Sequence, residues 1–407
     1  MYAQQPIVRT PSFPVPRTCP YAPPPEYERM REEAPLMRAS LPNGDVWLVT
    51  RYAEARQVLN GQGISTSPAT PGHPNSAFTA EEPTPEQREA LERFRVGQFI
   101  DMDPPEHGRY RRLLIPEFTV RRVKEMRPGI QRTADLLIDD MLAKGPEAEL
   151  VADFGLALPS LVICQLLGVP YADHEFFQSR TRTMVSSDDP QTSVAAILEI
   201  KSYLDDLVTE AEKQPKDDLL GRLIAAGEVS HDEIVGMISL LLIAGHETTA
   251  NMIPLGALTL LRHPDQLARL REDPGLWPMA VEELLRYLSI VDWVAFDRVA
   301  VEDQEIGGQL VRKGEGIFVL GASANRDERA FERPDEFDID RGARHHVAFG
   351  YGVHQCLGQN LARAELEIAY RTLFERIPSL RLAVDEEEVS FKYSQVIFGA
   401  NAMPVTW

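Results

Sequence analysis

The chain of 407 residues has little cysteine and an excess of acid. Its three cysteines, Cys19, Cys164 and Cys356, are far apart and odd in number, which excludes a disulfide framework, a CxxC zinc site and a c-type haem site. The 42 Lys and Arg against 62 Asp and Glu give a net charge of −20, which argues against nucleic-acid binding. This cysteine usage favours a reducing cytoplasm, where one cysteine could still be a reactive or ligating thiolate.

The sequence also lacks a long hydrophobic run and a targeting signal. The longest apolar stretch, Ile234–Ala244, has 11 residues and is too short to span a bilayer. The N-terminus has no apolar signal core, and its prolines predict an extended strap over residues 1–25. We therefore expect a soluble protein without a membrane anchor.

Helical periodicity covers most of the remaining chain. Apolar residues recur at three- and four-residue spacing in Val120–Ala143, His231–Arg262 and Leu357–Ile377. Strand-like pieces are short and lie near Val46–Thr50 and over Ile306–Leu320, where a hairpin is expected around Gly314–Gly316. No composition break marks a domain boundary, so the sequence predicts one mainly α domain over residues 1–407, with a minor β region.

Residues 60–86 form one long stretch with little predicted structure. The stretch is rich in Gly, Pro, Ser and Thr. Loops of this length are either lids over a site or surface inserts without a fixed position. Both interpretations stay open at this point.

The segment His231–Arg262 predicts an unusually long central helix. Ser230 and Glu233 form a capping box at its start, and Pro264 forces its end. Its first half is apolar on nearly every face, which implies burial. Five consecutive residues, 245–249 (GHETT), then cover all faces, so some must point inward. A buried acid beside an alcohol indicates a proton relay, whereas the alternative is a patch that faces water. A threonine here can also bond back to the carbonyl four residues earlier.

Cys356 lies in a glycine-rich loop, FGYGVHQCLG at residues 349–358, directly before a predicted helix. Glycines allow a tight loop with backbone amides turned toward the sulfur, and a helix N-terminus favours a thiolate. Three roles are open: a buried structural thiol, a nucleophile beside His354, or an axial ligand to an iron porphyrin. Spacing alone does not choose among them.

The loop resembles the haem loop of the cytochrome P-450 family, Phe-x-x-Gly-x-x-x-Cys-x-Gly, at every fixed position. Further motifs of that family occur in the same order: AGHETT at 244–249, Glu-x-x-Arg at Glu283 and Arg286, and PDEFDIDR at 334–341 with Arg341. The resemblance covers nearly the whole chain. It is closest to soluble actinomycete enzymes that hydroxylate macrolides, other natural products and xenobiotics.

The resemblance implies a fold and a reaction. The fold is a triangular helical prism around haem b, with a long central helix. The reaction is that of a haem-thiolate monooxygenase that hydroxylates or epoxidises a lipophilic macrolide or polyketide, terpenoid, steroid or xenobiotic. It uses O2 and two electrons from NAD(P)H through a ferredoxin reductase and a ferredoxin. The alternatives are a peroxide-driven haem enzyme, a haem-based gas sensor or carrier, and a helical binding protein without haem.

The resemblance also implies roles for individual residues. Glu247 and Thr248 would be the acid–alcohol pair that delivers protons, and Cys356 would be the metal ligand. The residues implied to bind the haem are Cys356, His107, Arg111, Arg298, His354, Phe349, Gly350, Ala244 and Gly245. Because two propionate partners are histidines, these contacts are expected to titrate near neutral pH. The residues implied as a buried structural triad are Glu283, Arg286 and Arg341.

The substrate pocket is expected to be largely apolar. By family position, it would be formed by Leu240, Ala244, Thr248, Val291, Val294, Ala295 and Ile397, together with the 60–86 stretch and residues 181–187.

One basic segment stands out in this acidic chain. Residues 107–127 carry seven Lys and Arg but two Glu, a local charge of +5. On the resemblance this segment lies on the thiolate side, so an acidic ferredoxin would dock near Arg109, Arg112, Arg122 and Lys124. The alternative is that these are surface arginines paired with the chain's own acids. The enzyme is expected to be a cytoplasmic monomer.

Overall fold

The structure is a computed structural model that describes most of the chain. The described residues are 7–10, 13–77, 95–173, 175–177, 179–180, 183, 190–393, 395 and 397–407. The first residues of the strap, the second part of the 60–86 stretch and nearly all of the predicted pocket segment 181–187 lie outside them.

Helices dominate the described residues. They are α1 (Glu26–Glu33), α2 (Tyr52–Leu59), α3 (Glu106–Leu114), α4 (Val120–Lys144), α5 (Ala157–Leu167), α6 (Pro190–Lys213), α7 (Leu219–Ala226), α8 (His231–Arg262), α9 (Pro264–Glu272), α10 (Trp277–Leu288), α11 (Gly321–Ala324) and α12 (Gln359–Arg376). The three predicted helical segments are α4, α8 and α12, and α12 begins two residues later than predicted because Gly358 is its N-cap. None of these helices combines the length and the apolar character that a bilayer crossing needs.

Short strands make up the minor β region. They are β1 (Arg9–Thr10), β2 (Leu36–Leu41), β3 (Gly44–Val49), β4 (Ile64–Ser65), β5 (Glu147–Glu149), β6 (Asp297–Ala300), β7 (Gln304–Ile306), β8 (Gln309–Val311), β9 (Gly316–Val319), β10 (Arg381–Leu382), β11 (Ser390–Phe391), β12 (Ala400–Ala402) and β13 (Pro404–Thr406). The largest sheet has the order β1-β2-β3-β9-β6-β4, and β10-β13-β5 form a second sheet. The prediction of a mainly α chain with a minor β region is confirmed.

The hairpin predicted around Gly314–Gly316 is wrong. The hairpin is β7–β8, and its turn is Gly307–Gly308, where both residues have positive φ angles of 54° and 78°. Two adjacent glycines suit the tight turn whose twist matches the strands. β9 does not continue this hairpin but lies between β3 and β6 in the largest sheet.

Helix α8 is the centre of the molecule. Ser230 Oγ accepts a hydrogen bond from the Glu233 amide (3.3 Å), and the Glu233 carboxylate accepts one from the Ser230 amide (2.6 Å), so the predicted capping box is present. The helix ends at Arg262, before Pro264. It packs against α5, α6, α10 and α12, and its buried side chains join the largest hydrophobic cluster.

The N-terminal strap and the 60–86 stretch are both attached to the largest sheet where they are described. β1 pairs with β2, and Phe13 packs on Phe318 with ring centroids 5.3 Å apart. β4 pairs with β6, and the amide of Thr66 donates to Asp103 Oδ1 (2.9 Å). Residues 60–77 are therefore not a surface insert without a fixed position, while residues 78–86 lie outside the described residues.

Candidate active site

A large cavity lies between the middle of α8 and the loop that precedes α12. Its volume is about 280 Å³, and its walls are mostly apolar. Helix α3 and strand β6 contribute polar groups to its rim. All of the predicted haem-binding residues line it: Cys356, His107, Arg111, Arg298, His354, Phe349, Gly350, Ala244 and Gly245.

The loop before α12 positions Cys356 through its own backbone. Gly350 and Gly352 adopt positive φ angles of 68° and 75°, which glycine tolerates without strain. A Cβ on Gly352 would lie 2.5 Å from the carbonyl oxygen of Leu59, so the close approach of α2 also requires glycine there. The amide of Cys356 donates to the carbonyl of Phe349 (2.8 Å), which closes the loop.

Cys356 lines the cavity, and its side chain is exposed to that space. Burial raises the pKa of its thiol, whereas the amides of Gly358 and Gln359 and the guanidinium of Arg111 act in the opposite direction. The amides therefore turn toward the sulfur as expected. The expectation that the helix N-terminus favours the thiolate agrees with this direction, although burial has the larger effect on the pKa of the thiol.

A buried and a half-buried cation line the rim of the cavity. Arg298 is 4% exposed, and its guanidinium donates to the carbonyls of Asp297 (2.7 Å) and Ala295 (3.2 Å). Burial lowers its pKa, and among the described residues no salt bridge compensates its charge. Arg111 donates to the carbonyl of Gln355, next to Cys356, and burial lowers its pKa too. Because neither guanidinium forms an ion pair with another described residue, both are suited to an external anionic group.

His107 and His354 stack against each other beside these cations, with ring centroids 4.2 Å apart. Burial and the charge of Arg111 lower the pKa of His107 to about 4. Burial, reinforced by His107 and Arg298, lowers the pKa of His354 to about 3. Both imidazoles are thus neutral at pH 7 in the chain by itself. The expectation that their contacts with the propionates titrate near neutral pH stays a prediction, because two nearby carboxylates would raise both pKa values.

The opposite wall of the cavity is the middle of α8. The Thr248 hydroxyl donates to the carbonyl of Ala244 (2.9 Å), the bond to the fourth preceding residue that the sequence predicts. Thr248 lines the cavity, and the adjacent Glu247 is half-buried but does not. Burial raises the pKa of Glu247 to about 6, and the charge of Lys392 acts against this rise. The GHETT patch therefore does not simply face water.

The predicted substrate residues divide into two groups. Leu240, Ala244, Thr248, Val291 and Ala295 line the cavity, whereas Val294 and Ile397 do not. Ile397 instead pairs with Val291 through an isolated β-bridge, so it lies behind a lining residue.

The predicted triad is brought together and fully paired. Arg286 Nε and Nη2 donate to the two oxygens of Glu283 (2.8 and 2.7 Å), and Arg341 Nε donates to Glu283 Oε1 (3.1 Å). Arg286 also donates to the carbonyls of Asn325 (2.9 Å) and Pro334 (2.7 Å). Since Glu283 and Arg286 are 0% exposed, this network ties α10 to the segment before the cysteine loop.

A second buried network was not predicted from the sequence. Arg363 of α12 donates to both oxygens of Glu282 (2.6 and 3.1 Å), and His346 Nε2 lies 3.1 Å from the same carboxylate. The guanidinium of Arg363 also lies 4.6 Å from the ring centroid of Phe349, the first residue of the cysteine loop. The sequence signal for this network is Glu282, a second acid directly before the Glu283 of the Glu-x-x-Arg motif.

Most of the basic segment is paired with acids, as the alternative interpretation predicts. The ion pairs are Arg109–Glu233 (3.0 Å), Arg112–Glu228 and Arg122–Glu125 (3.3 Å). Lys124 differs, because it lines a surface groove between α4, α10 and α12 together with the exposed Arg344. Among the described residues, neither Lys124 nor Arg344 has an ion-pair partner.

Comparison with known proteins gives consistent matches. Residues 185–274 and 276–392 match the family described as Cytochrome P450. Pentalenic acid synthase of Streptomyces avermitilis is 50% identical over 401 residues, 97% of each chain. The 20-oxo-5-O-mycaminosyltylactone 23-monooxygenase of Streptomyces fradiae is 43% identical over 404 residues, 98% of this chain and 93% of that protein. The crystal structure of cytochrome P450 MoxA from Nonomuraea recticatena aligns with a TM-score of 0.89 at 49% identity, covering 97% of this chain and 98% of that chain.

These matches confirm the predicted family and the predicted fold. They also support the monooxygenase prediction rather than a peroxide-driven enzyme or a gas sensor, since similar proteins are named as a monooxygenase and a methyl hydroxylase.

Proposed function

The chain belongs to the cytochrome P450 family and is a monooxygenase, and we propose that it binds haem b through Cys356 to hydroxylate or epoxidise a lipophilic small molecule. One observation carries this proposal. Cys356, Thr248 and Arg298, which forms no ion pair among the described residues, line one largely apolar space. A thiolate on one side and a proton carrier on the other are what dioxygen activation at a haem requires.

The donor set fits haem b. A cysteine thiolate ligates iron in this type of site, and amides directed at the sulfur tune the metal. The charges of Arg111 and Arg298, with the neutral N–H groups of His107 and His354, suit the two carboxylates of the porphyrin. When bound, the haem would supply the redox chemistry that activates dioxygen.

Glu247 and Thr248 are proposed to deliver protons. The pKa of Glu247, about 6, lets this carboxyl release and regain a proton near neutral pH. Thr248 lines the cavity, and its hydroxyl can accept a proton on a free lone pair and, on turning away from the Ala244 carbonyl, release the proton that it now donates there. The alcohol would thus pass protons from the acid to the reacting side of the cavity.

The substrate is proposed to be a lipophilic natural product, such as a macrolide or polyketide, terpenoid or steroid, or a xenobiotic of similar character. The apolar walls of the cavity support this class. Two similar proteins are named for pentalenic acid and for 20-oxo-5-O-mycaminosyltylactone. Screening such compounds for a low- to high-spin shift of the haem identifies the ligand.

The test of haem ligation is Cys356→Ser. We expect the reduced carbon monoxide complex of this variant to lose the thiolate-type Soret band completely, because a serine oxygen does not replace a thiolate. Cys19→Ser is the matched control and is expected to keep the band, since Cys19 does not line the cavity. A thiolate-type band in Cys356→Ser would contradict the proposal.

Electrons are proposed to come from NAD(P)H through a reductase and a ferredoxin that docks at the Lys124–Arg344 groove. Support comes from the unpaired charge of these two residues and from α12, which lines the groove and follows Cys356 directly. We expect the double reversal Lys124→Glu/Arg344→Glu to slow reduction by ferredoxin roughly tenfold at low salt, and less at high salt. Arg112→Glu, which removes an already paired charge, is expected to have a smaller effect. Equal rates of reduction by ferredoxin in the parent, the double variant and Arg112→Glu would exclude this surface as the docking site.

A single domain over residues 1–407, a monomeric state and a cytoplasmic location stay predictions.

A further inference from the structure

Lys392 connects the C-terminal hairpin, the antiparallel pair β11–β12, to the turn of α8 that carries Glu247. The residue follows β11, and its amide donates to the carbonyl of Gly399 (2.8 Å) at the start of β12. Its half-buried side chain reaches α8, where Nζ donates to Asn251 Oδ1 (3.0 Å). The Asn251 Nδ2 group donates in turn to the backbone carbonyl of Glu247 (2.9 Å). Because a lysine only donates, the amide of Asn251 has one possible orientation here.

The contact between the hairpin and α8 requires a glycine. A Cβ on Gly399 would lie 1.8 Å from Asn251 Oδ1 and 2.5 Å from its Cγ. Any larger residue would displace the amide that holds Lys392.

The two charges act on each other without a direct ion pair among the described residues. The positive charge of Lys392 lowers the pKa of Glu247 against the effect of burial. Burial lowers the pKa of Lys392, and the charge of Glu247 raises it. Of the charged groups described on α8 and on the elements packed against it, only Lys392 has a Coulomb interaction that changes the pKa of Glu247.

We propose that Lys392 is a positioning residue for proton delivery, whose ammonium, held by Asn251, keeps the carboxylate form of Glu247 accessible near neutral pH. Without it, burial would hold the proton on Glu247 and slow its release toward Thr248. This inference rests on the proposed role of Glu247 in proton delivery.

The direct test is the titration of Glu247 in the purified haem-loaded enzyme by difference infrared spectroscopy. The carboxylic C=O band of Glu247 is assigned by its absence in Glu247→Gln. In Lys392→Gln, we expect the midpoint of this band to move to higher pH, and in Lys392→Arg to return toward the parent value. Lys313→Gln, at an exposed lysine, is the charge-matched control and should not move it. An unmoved midpoint in Lys392→Gln would overturn the inference.

Electron coupling provides the second readout. We expect Lys392→Gln to divert more reducing equivalents to peroxide than the parent does. A plot of coupling efficiency against pH should show an inflection from Glu247, which Glu247→Gln lacks. In Lys392→Gln we expect this inflection to move to higher pH. Gly399→Ala, checked by a thermal melt for folding, should shift the same inflection while it retains the lysine. Failure of the relay itself is distinguishable, since Thr248→Ala and Glu247→Gln would then stay tightly coupled. If those two uncouple while Lys392→Gln matches the parent in both readouts, only the Lys392 inference is wrong.

Discussion

Glu247 on α8 and Glu282 on α10 are both glutamates with limited exposure to solvent. Their pKa values nevertheless shift in opposite directions from the ordinary value of a glutamate. Burial dominates at Glu247 and raises its pKa to about 6, with one partly compensating charge from Lys392. Burial also acts on Glu282, but hydrogen bonds from His346 and Arg363 outweigh it and lower the pKa to about 2. The number of hydrogen-bonding partners, rather than burial, decides the sign.

The difference separates two kinds of wall around one cavity. On the side of the cysteine loop, Glu282 and Glu283 are paired with arginines that hold α10, α12 and the loop together. On the side of α8, Glu247 has no such pairing among the described residues, so its proton can move at the pH of the cell. The first wall carries the buried ion pairs, and the second carries the proposed proton transfer.

Arg286→Met is expected to have the largest effect on stability. It would leave the carboxylate of Glu283, 0% exposed, with Arg341 as its remaining ion-pair partner among the described residues. Breaking a buried ion pair costs about 3–5 kcal/mol. Urea unfolding followed by far-UV circular dichroism measures the loss. The matched control is Arg269→Met, which removes an exposed pair with Asp340 and is expected to cost less than about 1 kcal/mol. Equal costs in the two variants would remove the distinction between buried network and surface pair.

Glu282→Gln is expected to have the next largest effect. The pKa of Glu282 is about 2 in the fold against an ordinary value of 4.5, so its ionised form contributes about 3 kcal/mol to stability at neutral pH. This contribution is present above pH 4.5 and is lost as the pH falls toward 2. The variant should therefore be less stable than the parent at pH 7, and the difference should shrink as the pH falls toward 3. A difference that does not depend on pH would show that Glu282 acts through packing rather than charge.

Glu247→Gln is expected to have the smallest effect on stability, with the opposite sign. The folded pKa of Glu247 is about 6, above the ordinary 4.5, so the folded state binds this proton more tightly and stability falls as the pH rises through this range. At pH 7 the ionised carboxyl costs about 2 kcal/mol. Urea unfolding measures the free energy of unfolding of Glu247→Gln and of the parent at each pH. The difference between them should favour the variant more at pH 7.5 than at pH 4.5. A loss at pH 7.5 would mean that the carboxylate has a stabilising partner.

Local signals in the sequence predicted the central helix and the cysteine loop well. The bounds of α8 depend on Ser230, Glu233 and Pro264, which act within one or two turns of their own positions. The bond from Thr248 to Ala244 is equally local. The predicted hairpin failed for a local reason too, because the glycine pair 307–308 is a better tight turn than Gly314.

Contacts between distant segments were not predictable in this way. Lys392 acts on Glu247 from 145 positions along the chain, and Arg363 pairs with Glu282 from 81 positions away. Neither pair has a spacing that a single sequence reveals. The basic segment shows the same limit, since its charges could be counted but their partners, Glu228 and Glu233, could not be assigned.

The sequence by itself determined which residues can carry the chemistry: a cysteine in a glycine-rich loop and an acid beside an alcohol in an apolar helix. These choices depend on side-chain type and on neighbours within a few residues. Only the tertiary structure decided how each group behaves. Burial and long-range partners set the pKa values of Glu247 and Glu282, make His107 and His354 neutral, and bring Lys392 onto α8. Desolvation and Coulomb interactions depend on distance in space, which the order of residues alone does not specify.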